Sequence, residues 1–469
     1  MLKKQTLGII PIVKFNHNKE EIRAIHKLYK EIFGAADDIQ LLIEDEILIN
    51  ESDVIDCVKK MEANQADMIV FIVGSWIYSS VLISAANDIH VPFVLYGLSD
   101  QLANGDLGAS IQVKYVLQEL KKDFLYIYGP IRDGNNIVII RKYLKAAWIK
   151  STLRNKKIAI IGGKCMMMYQ TQVNEFSWKK TFGVDFPHYD TLQIYKEMEN
   201  VDEKEAKEVA KKFLTEVDEV NWEAGDDKIA DDAIISQSKM YLAFKRMKEL
   251  YDIDVFANKC HPEMASTVFG YGYAGCLATC MLNEEGIMTA CEADVPAALS
   301  MYILNLLSGQ PAFFADIARA NKKEETVTFF NCGTAPISMA DKKKGVELWP
   351  IPGGISDEAV PPEYYTATTK GACIHFSLEN EKEVTIMRIG GNDDTLRMHV
   401  AKAYTCEREV DEDDVLGHRW PGFGLNFSGG LDSFINNTTG HHYSLIFGDW
   451  KRELEYLARI LEIKFVYDE

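Results

Sequence analysis

The chain has 469 residues, 47% of them hydrophobic, with 51 basic and 70 acidic residues and a formal net charge of −19. That length exceeds one ordinary core and calls for two or three domains. So acidic a surface repels phosphate backbones and anionic membranes, which argues against nucleic acid as a partner and still allows a small anionic substrate in a local site.

The first third alternates strand and helix. Leu7–Val13 reads as an apolar strand and Lys19–Phe33 as a helix. Ile39–Ile43, Met68–Val73, Pro92–Tyr96 and Phe124–Tyr128 follow as strands, with helices over Ser52–Asn64 and around Val113–Lys122. Alternation of this kind predicts a parallel, doubly wound sheet. Gly74-Ser75-Trp76 ends the most apolar strand, where open α/β sheets hold their ligands. Trp76 reads equally as a core residue or as an aromatic that stacks on a sugar face.

Helix Arg141–Arg154 leads to a fresh strand, Lys157–Ile161, ending in Gly162-Gly163. The glycine turn lacks the spacing of either phosphate-binding loop, so no nucleotide site is expected. This second region holds the acidic amphipathic stretch Asp202–Glu219, a helix around Ser236–Leu250, and the strand Ile253–Ala257. Past Asn321, short β-rich runs (Thr326–Phe330, Ile374–Ser377, Val384–Ile389) are separated by Gly, Pro and Asp, until a helix over Trp450–Ile463 and a last strand, Ile463–Tyr467. The expected organisation is an α/β domain over 1–154, a second over 155–320, and a mainly antiparallel β domain over 321–469. Both α/β domains are expected to be doubly wound and Rossmann-like.

Nine scattered cysteines and no secretory signal point to reduced thiols and a cytoplasmic protein. Cys276-x3-Cys280 has no second pair at zinc-site spacing, so core thiols are favoured there. Three long uncharged stretches are interrupted by Gly, Pro or hydroxyl residues, and none is expected to span a membrane.

The chemistry concentrates in Thr289-Ala-Cys-Glu-Ala-Asp-Val-Pro-Ala-Ala-Leu299, which places Glu292 just ahead of a helix with Pro296 in its first turn. Asp316 follows that helix, after Ser308-Gly-Gln-Pro311 and the apolar Ala312–Ala315. Alone, each acid reads as a residue near a helix end or a turn. Together, in apolar surroundings, they call for a neutralising cation. Gly440-His441-His442-Tyr443 precedes a strand-like run, and alternation would send the two imidazoles to opposite faces. A carboxylate–carboxylate–imidazole set with open positions suits Mn²⁺, Mg²⁺ or Co²⁺.

At these residues the chain resembles the L-fucose isomerase / L-arabinose isomerase family. The resemblance rests on Cys291-Glu-Ala-Asp-Val-Pro-Ala-Ala-Leu299, on the separation of Glu292 from Asp316, and on Gly440-His441-His442. It extends to Ile161-Gly-Gly-Lys-Cys-Met-Met-Met168, Asn258-Lys-Cys-His-Pro-Glu263 and Thr328-Phe-Phe-Asn-Cys-Gly-Thr-Ala-Pro336. Gly74-Ser75-Trp76 is similar to a substrate-side loop of the family.

The resemblance implies a metal-dependent aldose–ketose isomerase, an intramolecular oxidoreductase acting on an open-chain sugar through a cis-enediol. Glu292, Asp316 and His442 would be its Mn²⁺ ligands, Glu292 and Asp316 also its acid–base pair, and Trp76, His441 and Lys259 its substrate contacts. It further implies a homotrimer or homohexamer, with Trp76 serving a neighbouring subunit. Arabinose isomerases bring a second histidine to the metal where this chain has Asn331, so a three-ligand site is expected. Two other readings stay open: a non-catalytic sugar-binding protein, and a metal-dependent sugar epimerase or aldolase. The sugar is not fixed: fucose, arabinose, a phosphosugar and a sulfonated sugar all remain, with Lys164, Lys259 and Arg397 as candidate anion contacts.

Overall fold

Continuous apolar runs become fully buried parallel strands in the computed structural model, which describes residues 3–13, 19–99, 106–225, 227–265, 272–352, 371–411 and 414–468. The chain forms two compact units. One is Met1–Thr152 with Arg452–Leu461, and the other is Leu153–Lys451 with Glu462–Glu469. Mixed α/β structure with parallel sheets is thus the class observed.

In the first unit, strands β1 (Gln5–Ile12), β2 (Ile39–Ile43), β3 (Met68–Val73), β4 (Phe93–Leu98) and β5 (Leu125–Gly129) form a parallel sheet in the order β2-β1-β3-β4-β5. Every residue of β1, β3 and β4 is buried, as a sheet covered on both faces requires. Helices α1 (Lys19–Gly34), α2 (Glu51–Ala63), α3 (Ser79–Asp88), α4 (Asp106–Glu119) and α5 (Gly134–Leu153) provide the connections. Helix Lys451–Ile460 also belongs to this unit. The sequence assigned it to the C-terminal domain, but its Glu453 pairs with Lys142 at 2.9 Å and its Arg459 with Asp123 at 2.6 Å.

The second unit begins with β6 (Ile158–Ile161), α6 (Glu175–Phe182), β7 (His188–Tyr189), α7 (Thr191–Glu199) and α8 (Glu203–Leu214). Short strands β8 (Glu219–Val220), β9 (Glu223–Ala224) and β10 (Asp227–Lys228) lead to α9 (Ala233–Tyr251), β11 (Val255–Asn258), α10 (Cys276–Glu284), β12 (Thr289–Ala290) and α11 (Val295–Ser308). The order β12-β11-β6-β7 makes a second, four-stranded parallel sheet. Helix α11 is buried on nearly every side, from Val295 to Leu307, which explains its lack of a polar face.

The rest of the chain adds β13 (Phe313–Asn321), β14 (Thr326–Phe330), β15 (Glu347–Pro350), β16 (Ala372–His375), β17 (Glu383–Gly390), β18 (Arg397–Cys406), β19 (Gly422–Phe427), β20 (His442–Phe447) and β21 (Lys464–Asp468). Six of them pair antiparallel in the order β17-β20-β13-β14-β19-β18, with β21 joined parallel to β18, while β15 and β16 form a separate small sheet with β8. Because β17 also pairs with β18, the ribbon closes on itself as a barrel. The boundary expected at 320/321 falls inside β13, a continuous strand hydrogen-bonded to β14 and β20. Among the described residues, no helix is long and apolar enough to cross a membrane.

Candidate metal centre

Three loops leave the carboxyl ends of the second parallel sheet side by side, where ligands of open α/β sheets bind. The turn after β6 is Gly162-Gly163, both with positive φ. A Cβ at Gly162 would approach the Cβ of Lys259 to 3.2 Å, so glycine lets the β6 and β11 loops come together. Lys259 follows β11, and its Nζ lies 2.7 Å from Glu263. After β12 a 3₁₀ turn, Cys291–Ala293, carries Glu292 in a left-handed conformation (φ 59°, ψ 24°), with Ala293 likewise at φ 50°. Two consecutive non-glycine residues there cost about 1–3 kcal/mol each, the kind of strain that surrounding structure must hold in place.

Asp294 then caps α11, accepting the backbone N–H of Ala297 at 2.8 Å, with Pro296 in the first turn. At the far end Gly309 terminates the helix in the left-handed conformation, and the chain returns as β13. Asp316 of β13 is the register partner of His442, the first residue of β20. Strand pairing therefore brings Asp316 to the imidazole, and Glu292 reaches it from the turn at the other end of α11.

His442 Nε2 lies 3.1 Å from Glu292 Oε2 and 3.0 Å from Asp316 Oδ1. His442 is fully buried, whereas both acids keep 19% side-chain exposure, so the cluster is open on one side. Each of Glu292, Asp316, His441 and His442 offers a ligand atom within 4.8 Å of the others, a group able to hold a metal ion. Opposite faces were expected for the two histidines. His441 instead precedes β20, so strand alternation does not apply to it, and the ring centroids are 3.9 Å apart. Gln170 Nε2 reaches His441 Nδ1 at 3.0 Å. Asn331, where the second histidine was considered, donates its amide to Asp316 Oδ2 at 3.1 Å and so steadies the acid.

The donor set fits a divalent cation. Glu292 Oε2 and His442 Nε2 are buried atoms without a hydrogen-bond partner, although they face one another. Such orphans are costly unless a further charge satisfies them. Burial raises the Glu292 carboxyl, and the Asp316 charge adds to this against the pull of His442. Burial alone would lower the His442 imidazole, but Asp316 and the contacts to Asp294 and Glu292 hold it well above its ordinary value. His441 is lowered by burial and by the neighbouring His442 charge.

Two residues of the site were not singled out from the sequence. Asp294 accepts His442 Nδ1 at 2.7 Å, and Arg388 of β17 pairs with Asp294 at 3.0 Å. The signal for Asp294 was its place as N-cap within the same acidic run. An arginine within the apolar run 386–389 was the signal for Arg388. Trp76 lies in the first unit and is 39% exposed. Lys164 stacks over the Tyr169 ring at 3.8 Å, and Arg397 opens β18.

A cluster of acids and imidazoles at the carboxyl edge of a parallel sheet defines an α/β protein with a candidate metal-dependent active site. The named relatives are sugar isomerases. The chain is 25% identical to a sulfoquinovose isomerase of Clostridium sp. (strain MSTE9) over 351 residues, covering 73% of this chain and 71% of that protein. It is 21% identical over 350 residues to the sulfoquinovose isomerase of Priestia aryabhattai, covering 74% and 72%. It is also 24% identical over 241 residues to that of Alkalicoccus urumqiensis, covering 50% and 49%. The relatives agree with the sugar-isomerase class expected from the sequence, and their names specify neither fucose nor arabinose. No protein-family model matches the chain.

Proposed function

We propose that the chain is a divalent-metal-dependent aldose–ketose isomerase whose substrate is an open-chain sulfonated aldose. The observation that carries this reading is the convergence of Glu292, Asp316, His441 and His442 on one partly open point, with Glu292 Oε2 and His442 Nε2 unpartnered. The relatives' name supports the choice of sugar.

Glu292, Asp316 and His442 would hold the ion, with His441 as a fourth donor or a substrate contact, and Mn²⁺ suits this mixed oxygen and nitrogen set. The ion would polarise the sugar carbonyl and so acidify the adjacent C–H. The proton from C2 of the aldose goes to one carboxylate, leaving a cis-enediol, and a carboxyl proton is delivered to C1 while the O2 proton is lost and O1 gains one. Glu292 suits the proton-carrying role because its carboxylate lies at the partly open centre beside His442 Nε2, at 3.1 Å. Asp316 is held by Asn331 through Oδ2, which leaves Oδ1 directed at the centre.

Lys259, largely shielded at the same sheet edge, is proposed to face the substrate's anionic end, and Trp76 to stack on a sugar bound by a neighbouring subunit of a homotrimer or homohexamer. The test is NMR of aldoses with and without a sulfonate, incubated with the protein and Mn²⁺ in D₂O. Ketose formation with deuterium at C1 supports the reading. Deuterium at C2 without ketose would make the protein an epimerase, and no exchange with any aldose would make it a binder.

A further inference from the structure

His442 is held from behind by two buried charges that never face the open side of the site. Asp294 and Arg388 each have 0% side-chain exposure. Asp294 Oδ2 accepts His442 Nδ1 at 2.7 Å and lies 3.0 Å from Arg388 Nη2, while Oδ1 accepts Ala297 N at 2.8 Å and Arg388 Nη2 at 3.2 Å. Arg388 Nη1 donates to the His442 carbonyl at 3.0 Å, and Nη2 to the Gln170 carbonyl at 2.9 Å. One guanidinium thereby fixes the backbone of His442, the carboxylate behind its ring, and the segment whose side chain meets His441.

A carboxylate paired with arginine can only accept hydrogen bonds, so the imidazole nitrogen facing it must carry a proton. The other nitrogen, Nε2, is then the one turned toward Glu292 and Asp316. We propose that Asp294 and Arg388 are positioning residues that lock the tautomer and ring orientation of His442, so that Nε2 is presented to the metal. The inference rests on the metal-centre reading above. Buried carboxylates behind metal-binding histidines commonly contribute 10–100-fold to metal affinity.

The test is calorimetric titration of Mn²⁺ into metal-stripped protein. Asp294→Asn keeps an oxygen for the Ala297 cap but can turn an amide N–H toward His442 Nδ1, which favours the wrong tautomer. Its Mn²⁺ dissociation constant is expected to rise about 10–100-fold. Ser300→Ala serves as the control, because Ser300 sits on the same helix and accepts Ile389 N at 3.0 Å without touching Asp294 or His442. Its affinity is expected to stay at the wild-type value.

An Asp294→Asn protein that folds and binds Mn²⁺ within twofold of wild type overturns the inference, as does an equal loss in Ser300→Ala. If Asp294→Asn does not fold, ¹⁵N-histidine NMR of the Mg²⁺-loaded wild type decides. A proton on Nδ1 of His442 supports the lock, and a proton on Nε2 overturns it. Wild-type protein that binds no Mn²⁺ would bring down the metal reading itself, whereas wild-type binding with an unaffected variant removes only the role of Asp294.

Discussion

Asp316 and His442 are direct register partners across β13 and β20, and their side chains come within 3.0 Å. Backbone pairing therefore sets the distance between acid and imidazole, and neither long-side-chain flexibility nor a loop conformation has to be tuned for it. A rigid strand pair is a sound place for groups that must meet within a few tenths of an ångström.

Removing either acid's charge should stop turnover while leaving the barrel intact. Asp316→Asn and Glu292→Gln are each expected to lower kcat by about 10³-fold, the scale of a positioned acid–base group. Circular dichroism should stay at the wild-type spectrum. A folded variant within tenfold of the wild-type rate would remove that residue from the chemistry.

Chelation should act on both rate and stability. Without a cation, Glu292 and Asp316 are two acids facing one imidazole. Activity is expected to vanish after dialysis against a chelator and to return with Mn²⁺. The melting temperature should rise on readdition, because a ligand at 100-fold its dissociation constant stabilises the native state by about 2.7 kcal/mol. Full activity in protein shown to be metal-free by elemental analysis would contradict the proposal.

The core role of α11 is measurable at Leu299, which has no exposed surface. Leu299→Ala is expected to destabilise the second unit by about 2–5 kcal/mol through lost burial and a residual cavity. Urea unfolding followed by tryptophan fluorescence reads this. A change below 1 kcal/mol would mean that the helix can collapse around the gap.

His375 gives a pH dependence remote from the candidate ligands. Burial, then the charges of Arg408 and His418, lower its pKa from the ordinary 6.5 to about 4. Between these values the unfolded chain binds a proton that the folded chain refuses. Its contribution is therefore complete above about pH 6.5 and is lost as the pH falls toward 4, by about 3 kcal/mol at most. His375→Asn should lose less stability than wild type when urea midpoints at about pH 7.5 and about pH 4.5 are compared. Equal losses would show that His375 is not the titrating group.

Much of the scaffold was readable from local pattern. Ile39–Ile43, Met68–Val73 and Thr326–Phe330 have the expected ends because each is a β-rich run bounded by residues that stop a strand. The expectation that Glu292 and Asp316 belong together came from acids embedded in apolar sequence, and that of His442 from the family resemblance; the three side chains do lie side by side. What was not legible is non-local. The pairing of β17 with β18 closes a barrel that no strand announces, and the contribution of Arg388 depends on Asp294 far away in the chain. The amphipathic pattern of Lys451–Ile460 shows that the helix has an apolar face, but not which unit that face will cover. His441 was misjudged because alternation holds only inside a strand, and it stands one residue outside.

The order in which the segments carrying Glu292, Asp316 and His442 are synthesised has a consequence for biogenesis. Glu292 and Asp316 leave the ribosome well before His442, so a nascent or prematurely terminated polypeptide carries the acids with neither the imidazole nor β20 to hold them. If the proposed centre holds a cation, its capture would thereby be deferred until the barrel's late strand has been delivered, and metal content in a preparation would become a readout of how many molecules were finished.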